Sequence, residues 1–261
     1  QHNLPVYFGN RNWHPFASET AEKMSQDGVR KVAVFATSAW GGYSACRQYD
    51  EDIQRMREHL AEQGLPDIEF TKIRQFFDHP KFVVEMAAAV TEVWGQVPEE
   101  KKESTRLLFT AHSVPVAHDN VGGADGDKNL YSRQVAEASR LVAARAGISD
   151  YDLVWQSRSG NPRTPWLEPD IIDHTTDIHH NEGIDTVVVC PIGFISDHME
   201  VIWDLDSELQ KAADEMGVKV LRTRTAGPTP RFAEMVVDLI DELEQGREWE
   251  TSGSVTVQGL S

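Results

Sequence analysis

Two hydrophobic rhythms alternate along this chain from end to end. Short unbroken apolar runs, rich in β-branched side chains, fall at residues 32–37 (VAVFAT), 107–111 (LLFTA) and 186–190 (TVVVC). Such runs read as strands buried on both faces. Residues 4–8, 69–76, 153–156 and 218–222 read as further strands, with sparser apolar positions in 69–76. Between them, helices are expected over 15–26, 46–62, 80–94, 129–146, 169–180, 197–216 and 230–244. Proline stands at the expected first position of several, as at Pro15 and Pro80, and glycine follows the ends of others, as at Gly28, Gly64 and Gly147.

Strands and helices alternating at this spacing predict an α/β fold built of βαβ units with mostly parallel sheets. The charged run EEKKES at 99–104 interrupts the rhythm once, as a solvated connector does. The expected organisation is therefore two Rossmann-like, doubly wound domains, residues 1–100 and 101–228, facing each other across a cleft. A C-terminal helix at 229–246 and a disordered polar tail at 247–261 follow. In such folds ligands bind at the carboxyl ends of the strands.

Charge narrows the partners. Among 261 residues there are 42 acids and 25 bases, a net charge of −17, which argues against a nucleic-acid backbone and against an anionic membrane surface. No apolar run approaches the ~20 residues of a membrane span. Cys46 and Cys190 are too few for a disulfide framework and form no CxxC pair, so a reducing cytoplasm is the simplest setting. The chain begins Gln1-His2-Asn3, without an initiator methionine or a signal peptide, and reads as a processed or partial chain.

The familiar nucleotide and hydrolase motifs are missing: no P-loop, no GxGxxG after a strand, no HExxH and no GxSxG. Two other stretches draw the eye. RLLFTAHSVP puts His112 where an apolar strand meets a turn. There it is either a proton acceptor or metal ligand, or a buried histidine satisfied by a carbonyl. VVVCPIGFISDHMEVIWDLDSE (187–208) runs from a buried strand through a Pro/Gly break into an acid-rich helix. Asp197 as N-cap with Glu200 three residues on is a capping-box variant and needs no function. Asp204 and Glu208 continue the face of Glu200 at i+4 and i+8; by itself such a stripe is first a solvated face and second a cation path. The His174, His179, His180 group reads as a polar helix surface, and residues 119–127 lack the EF-hand spacing.

These residues resemble a known family. TAHSVP, WQSRSGNPRTPWLEPD and CPIGFISDHMEVIWDLDSEL are similar to the signature segments of ferrochelatases. GNRNW and ATSAWGGYSACRQY are similar to their actinobacterial branch, the coproporphyrin III ferrochelatases. The resemblance runs to about residue 247. It implies two Rossmann-like domains with the porphyrin between them and insertion of Fe(II) without an organic cofactor. It also implies His112 and Glu200 facing each other as the iron and proton-transfer site. Asp204 and Glu208 would continue an iron path on a locally widened helix, and Tyr49 would lie beside the ring. Arg11, Arg47 and Arg158 are candidate partners for the propionates. Family members begin upstream with a strand, a helix and a GGxSP loop, so residues 1–100 are expected to be the remainder of the first domain. Some relatives bind a [2Fe–2S] cluster through a cysteine matching Cys46 and three near the C-terminus; only Cys46 is matched here, so no cluster is expected. Transient contact with neighbouring heme-pathway enzymes is a further implication. Two alternatives remain: a non-catalytic tetrapyrrole or metal carrier, and a chelatase for another metal or ring, such as cobalt or protoporphyrin.

Overall fold

The computed structural model describes residues 4–42, 47–121, 128–161 and 163–246. Within them the order of elements is α1 (Ala17–Gln26), β1 (Lys31–Val34), α2 (Gln48–Glu62), β2 (Glu69–Lys72), α3 (Pro80–Trp94), β3 (Thr105–His112), α4 (Val116–Asp119), α5 (Leu130–Ala146), β4 (Tyr151–Gln156), α6 (Ile171–Glu182) and β5 (Thr186–Cys190). A composite helix follows, then β6 (Lys219–Arg222) and α9 (Pro230–Gln245). The composite helix begins as α7 (Met199–Val201), widens to a π-helix over Ile202–Leu209 and ends as α8 (Gln210–Met216).

Among the described residues all strand pairs are parallel, in two sheets: β1–β2, and β4–β3–β5–β6. β5 is buried at every residue, as its unbroken TVVVC run requires when helices cover both faces. β3 lies between β4 and β5 and ends at His112, whose register partner on β4 is Gln156. The main core joins α3, α5 and α9 to this sheet through Phe82, Met86, Phe109, Val142, Val188 and Leu239, while Ala21, Met24, Met56, Leu60 and Ile68 form a smaller core beside β1–β2.

Glycine at 193 is required by close approach. A Cβ there would stand 2.5 Å from Ala111 Cβ, so only glycine lets the turn after β5 lie against β3. The same turn is joined to the loop after β1: Trp40, buried beneath Phe77, Phe82 and Tyr131, donates from Nε1 to the Gly193 carbonyl at 2.9 Å.

Several expectations are corrected. Residues 4–8 form no strand; Val6 is 93% exposed and Pro5 brings no amide hydrogen to a ladder. The strands foreseen at 32–37 and 69–76 end early, at Val34 and Lys72. Residues 99–104 are the expected solvated connector, with none of them buried, wound into a 3₁₀ turn. The helix foreseen from Asp197 starts at Met199 with His198 as N-cap, and Asp197 makes no cap because its carboxylate is taken by Arg222. Cys46, part of the loop at 119–127 and the tail at 247–261 lie outside the described residues.

Candidate functional site

The end of β3 brings two of the nominated residues into contact. His112 Nε2 stands 3.0 Å from Glu200 Oε1, both side chains partly exposed. The other ring nitrogen, Nδ1, meets the Ser113 carbonyl oxygen. A carbonyl only accepts, so a neutral ring carries its hydrogen on Nδ1 and presents a bare lone pair at Nε2. Lone pair and carboxylate repel at that distance unless a cation joins them. A proton or a metal ion between the two atoms would satisfy both. The backbone of His112 is fixed as well, its carbonyl accepting from Tyr131 Oη at 2.8 Å. Burial pushes the Tyr131 phenol well above its ordinary range, so it stays a donor.

Asp204 is held differently. Gln156 Nε2 donates to its Oδ2 at 3.0 Å, and Ser157 Oγ donates to the same oxygen. Gln156 is buried at the end of β4 and takes a hydrogen bond on its own Oε1 from Thr110 at 3.1 Å. Ser157 reaches Asp204 from a left-handed backbone (φ 64°), an uncommon state for serine. Both donors are neutral and fall on one oxygen, so Asp204 is oriented while keeping its negative charge. Glu208 lies exposed on the same π-helical turns. The described residues contain no group of three or more His, Cys, Asp or Glu able to hold a metal; at His112–Glu200 two side chains meet.

The remaining nominated residues sit elsewhere. Arg11 donates to Asp52 at 2.7 Å and to Gln48 at 2.8 Å, with its guanidinium 5.1 Å from the Tyr49 ring centroid. Arg47 precedes the first turn of α2 and approaches Glu51 at 3.6 Å. Arg158, after β4, lies 3.6 Å from Glu168 and lines a cavity of about 220 Å³ with Ser113, Trp155 and Leu167. His174 pairs with Asp152 at 3.0 Å and His179 meets the Ile184 carbonyl, both structural uses. Asp119 opens α5 by accepting from Ser132 N and Oγ. Cys190 is fully buried, and burial pushes its thiol up to about 12, which leaves it inert.

Gln156 and Ser157, both within WQSRSG, are not among the residues nominated from sequence. A polar residue at the buried end of a strand was the available signal, and it points nowhere until the β3–β4 register is known.

Residues 1–244 match the family model for ferrochelatase. The chain belongs to the ferrochelatase family. A coproporphyrin III ferrochelatase of Corynebacterium glutamicum is 56% identical over 260 residues, covering 100% of this chain and 70% of that protein. Another from Corynebacterium diphtheriae is 54% identical, covering 99% and 71%. Among solved structures, SirB from Bacillus subtilis with Fe3+ superposes with a TM-score of 0.64 over 94% of this chain and 86% of that one, at 13% identity. At that identity the likeness speaks for the fold alone, which is the α/β chelatase fold with parallel sheets. No helix among the described residues of this ferrochelatase-family chain is long and apolar enough to cross a membrane.

Proposed function

We propose that the chain inserts Fe(II) into coproporphyrin III, releasing two protons and yielding the iron porphyrin. The His112–Glu200 contact at the end of β3 carries this reading. Metallation must take two hydrogens from pyrrole nitrogens and strip Fe(II) of its waters. A ring nitrogen with a bare lone pair beside a carboxylate is suited to both tasks, since the same two atoms bind either a proton or a metal. A two-point site holds iron loosely enough for a ring with four nitrogens to take it.

In this reading Fe(II) passes along Glu208 and Asp204 on the widened helix to Glu200 and His112. Carboxylates are hard, exchangeable ligands that hand on a divalent ion without trapping it. Tyr49, with Arg11 over its ring, borders the macrocycle, and Arg11, Arg47 and Arg158 supply cations for its propionates. The reaction needs no organic cofactor. The enzyme works in the cytoplasm, between two domains divided near residue 100, and passes its product to a neighbouring heme-pathway enzyme.

The relatives' shared name supports coproporphyrin III as the ring. Initial rates with coproporphyrin III, protoporphyrin and sirohydrochlorin, each with Fe(II) and Co(II), test it. The expected result is fastest turnover of coproporphyrin III with Fe(II). Ring binding without metallation would point to a carrier, and faster turnover of another pair would point to a different chelatase.

A further inference from the structure

The π-helix that carries Asp204 and Glu208 is held on two sides by the sheet beneath it. On one side β4 supplies Gln156, which reaches Asp204. On the other side β6 ends in Arg222, which binds two acids of the same stretch. Its Nε and Nη2 form a fork on Asp206 at 2.6 and 2.9 Å, and its Nη1 reaches Asp197 Oδ1 at 2.9 Å. The guanidinium is largely buried, with 19% of the side chain exposed.

That arrangement sorts the acids. Five lie from Asp197 to Glu208; Arg222 engages Asp197 and Asp206, while among the described residues no arginine ion pair forms at Glu200, Asp204 or Glu208. Arg222 is also in rigid register with His112. It pairs with Val189 on β5, and β5 pairs with β3, the strand that ends at His112. A π-helix makes poorer packing than an α-helix and persists where its surroundings hold it. The fork on Asp206 fixes the middle of the widened turns, and the contact with Asp197 fixes the loop that leads into Glu200.

We propose that Arg222 is a positioning residue for metallation, clamping the π-helix through Asp206 and Asp197 so that Glu200, Asp204 and Glu208 stay aligned with His112. The inference rests on the iron-path reading above. It places Arg222 outside contact with either substrate, acting through the helix.

The test compares steady-state kinetics of the wild type, Arg222→Met, Arg222→Lys and Asp206→Asn, with Arg224→Met as a control for an arginine that pairs with Glu85 instead. Arg222→Met should raise the KM for Fe(II) about tenfold or more, as loss of a residue orienting metal ligands does. The KM for coproporphyrin III should stay within about twofold, because no ring contact is removed. Arg222→Lys, which keeps charge but loses the fork, should recover part of the loss, and Asp206→Asn should shift the Fe(II) KM in the same direction by less. Hydrogen exchange should quicken in peptides covering 197–209. An unchanged Fe(II) KM in both Arg222→Met and Asp206→Asn overturns the proposal. So does a parallel loss for both substrates that Arg224→Met reproduces at an equal drop in melting temperature. If Arg222→Met fails to fold, Asp206→Asn decides. A wild type that does not metallate coproporphyrin III at all would overturn the functional reading instead.

Discussion

Glu85 and Asp204 are both acids that accept two side-chain hydrogen bonds, and the protein treats them in opposite ways. At the packing of α3 on α9, Glu85 is buried between Arg224 at 2.6 Å and Arg231 at 2.8 Å. Nearby Glu242 takes the fork of Arg74 at 2.7 and 3.0 Å. At the ends of β3 and β4, Asp204 is held by an amide and a hydroxyl, and Glu200 stands beside an imidazole. An arginine fork saturates a carboxylate and cancels its charge. Neutral donors aim a carboxylate and leave the charge in place for an exchangeable cation. The difference separates acids that fasten elements together from acids whose charge no arginine fork answers.

Removing charge from each class should therefore produce different losses. Glu200→Gln should slow iron insertion by about 10²-fold or more, since the pair loses its anionic half, while the melting temperature hardly moves. Stopped-flow loss of the free-porphyrin spectrum measures it, and a rate within about threefold of wild type would break the contrast. Glu85→Gln should do the reverse. Breaking the buried charged contacts costs about 1–3 kcal/mol, moderated because both arginines are partly open to water, and several degrees of melting temperature follow. The KM for Fe(II) should be unchanged.

The α3–α9 region also carries a pH signature. His79, 1% exposed at the start of α3, is pushed down to about 4, first by burial and then by the Arg74 charge. The unfolded histidine binds a proton near its ordinary 6.5, so between 6.5 and about 4 the unfolded chain gains the proton that the folded chain refuses. Stability conferred by neutral His79 is complete above that window and declines through it as pH falls, by up to roughly 3 kcal/mol. His79→Asn keeps an N-cap acceptor for the Lys81 amide and removes the titration. Melting curves of the variant should be flatter than wild type across the window, and equal slopes would contradict the assignment. The smallest effect is expected at Asp204. Gln156→Leu removes one of its two donors and should raise the Fe(II) KM up to about tenfold, with porphyrin binding unaffected.

Much of the fold was legible because local signals were strong. The unbroken TVVVC run delimits β5 at Thr186–Cys190, and Pro80 at a first helical position delimits α3 at Pro80–Trp94. Leu4 to Phe8 misled because an apolar run becomes a strand only beside a partner strand. Asp197 misled for a related reason. Its local chemistry favours a cap, and a guanidinium twenty-five residues later outcompetes that role. His112 could be nominated from its place at a strand end, but its distance from Glu200 depends on how the composite helix lies over the sheet. The roles of Gln156, Ser157 and Arg222 depend on the register of β4 and β6 against their neighbours, and hydrophobic periodicity does not encode register between strands.

The most direct test of the account is His112→Ala, with iron insertion and coproporphyrin III binding measured separately on the same preparation. The porphyrin should still bind, seen as fluorescence quenching on titration, while the single-turnover rate of Fe(II) insertion falls by about 10²–10⁴-fold. Insertion at a rate close to wild type in the variant would contradict it.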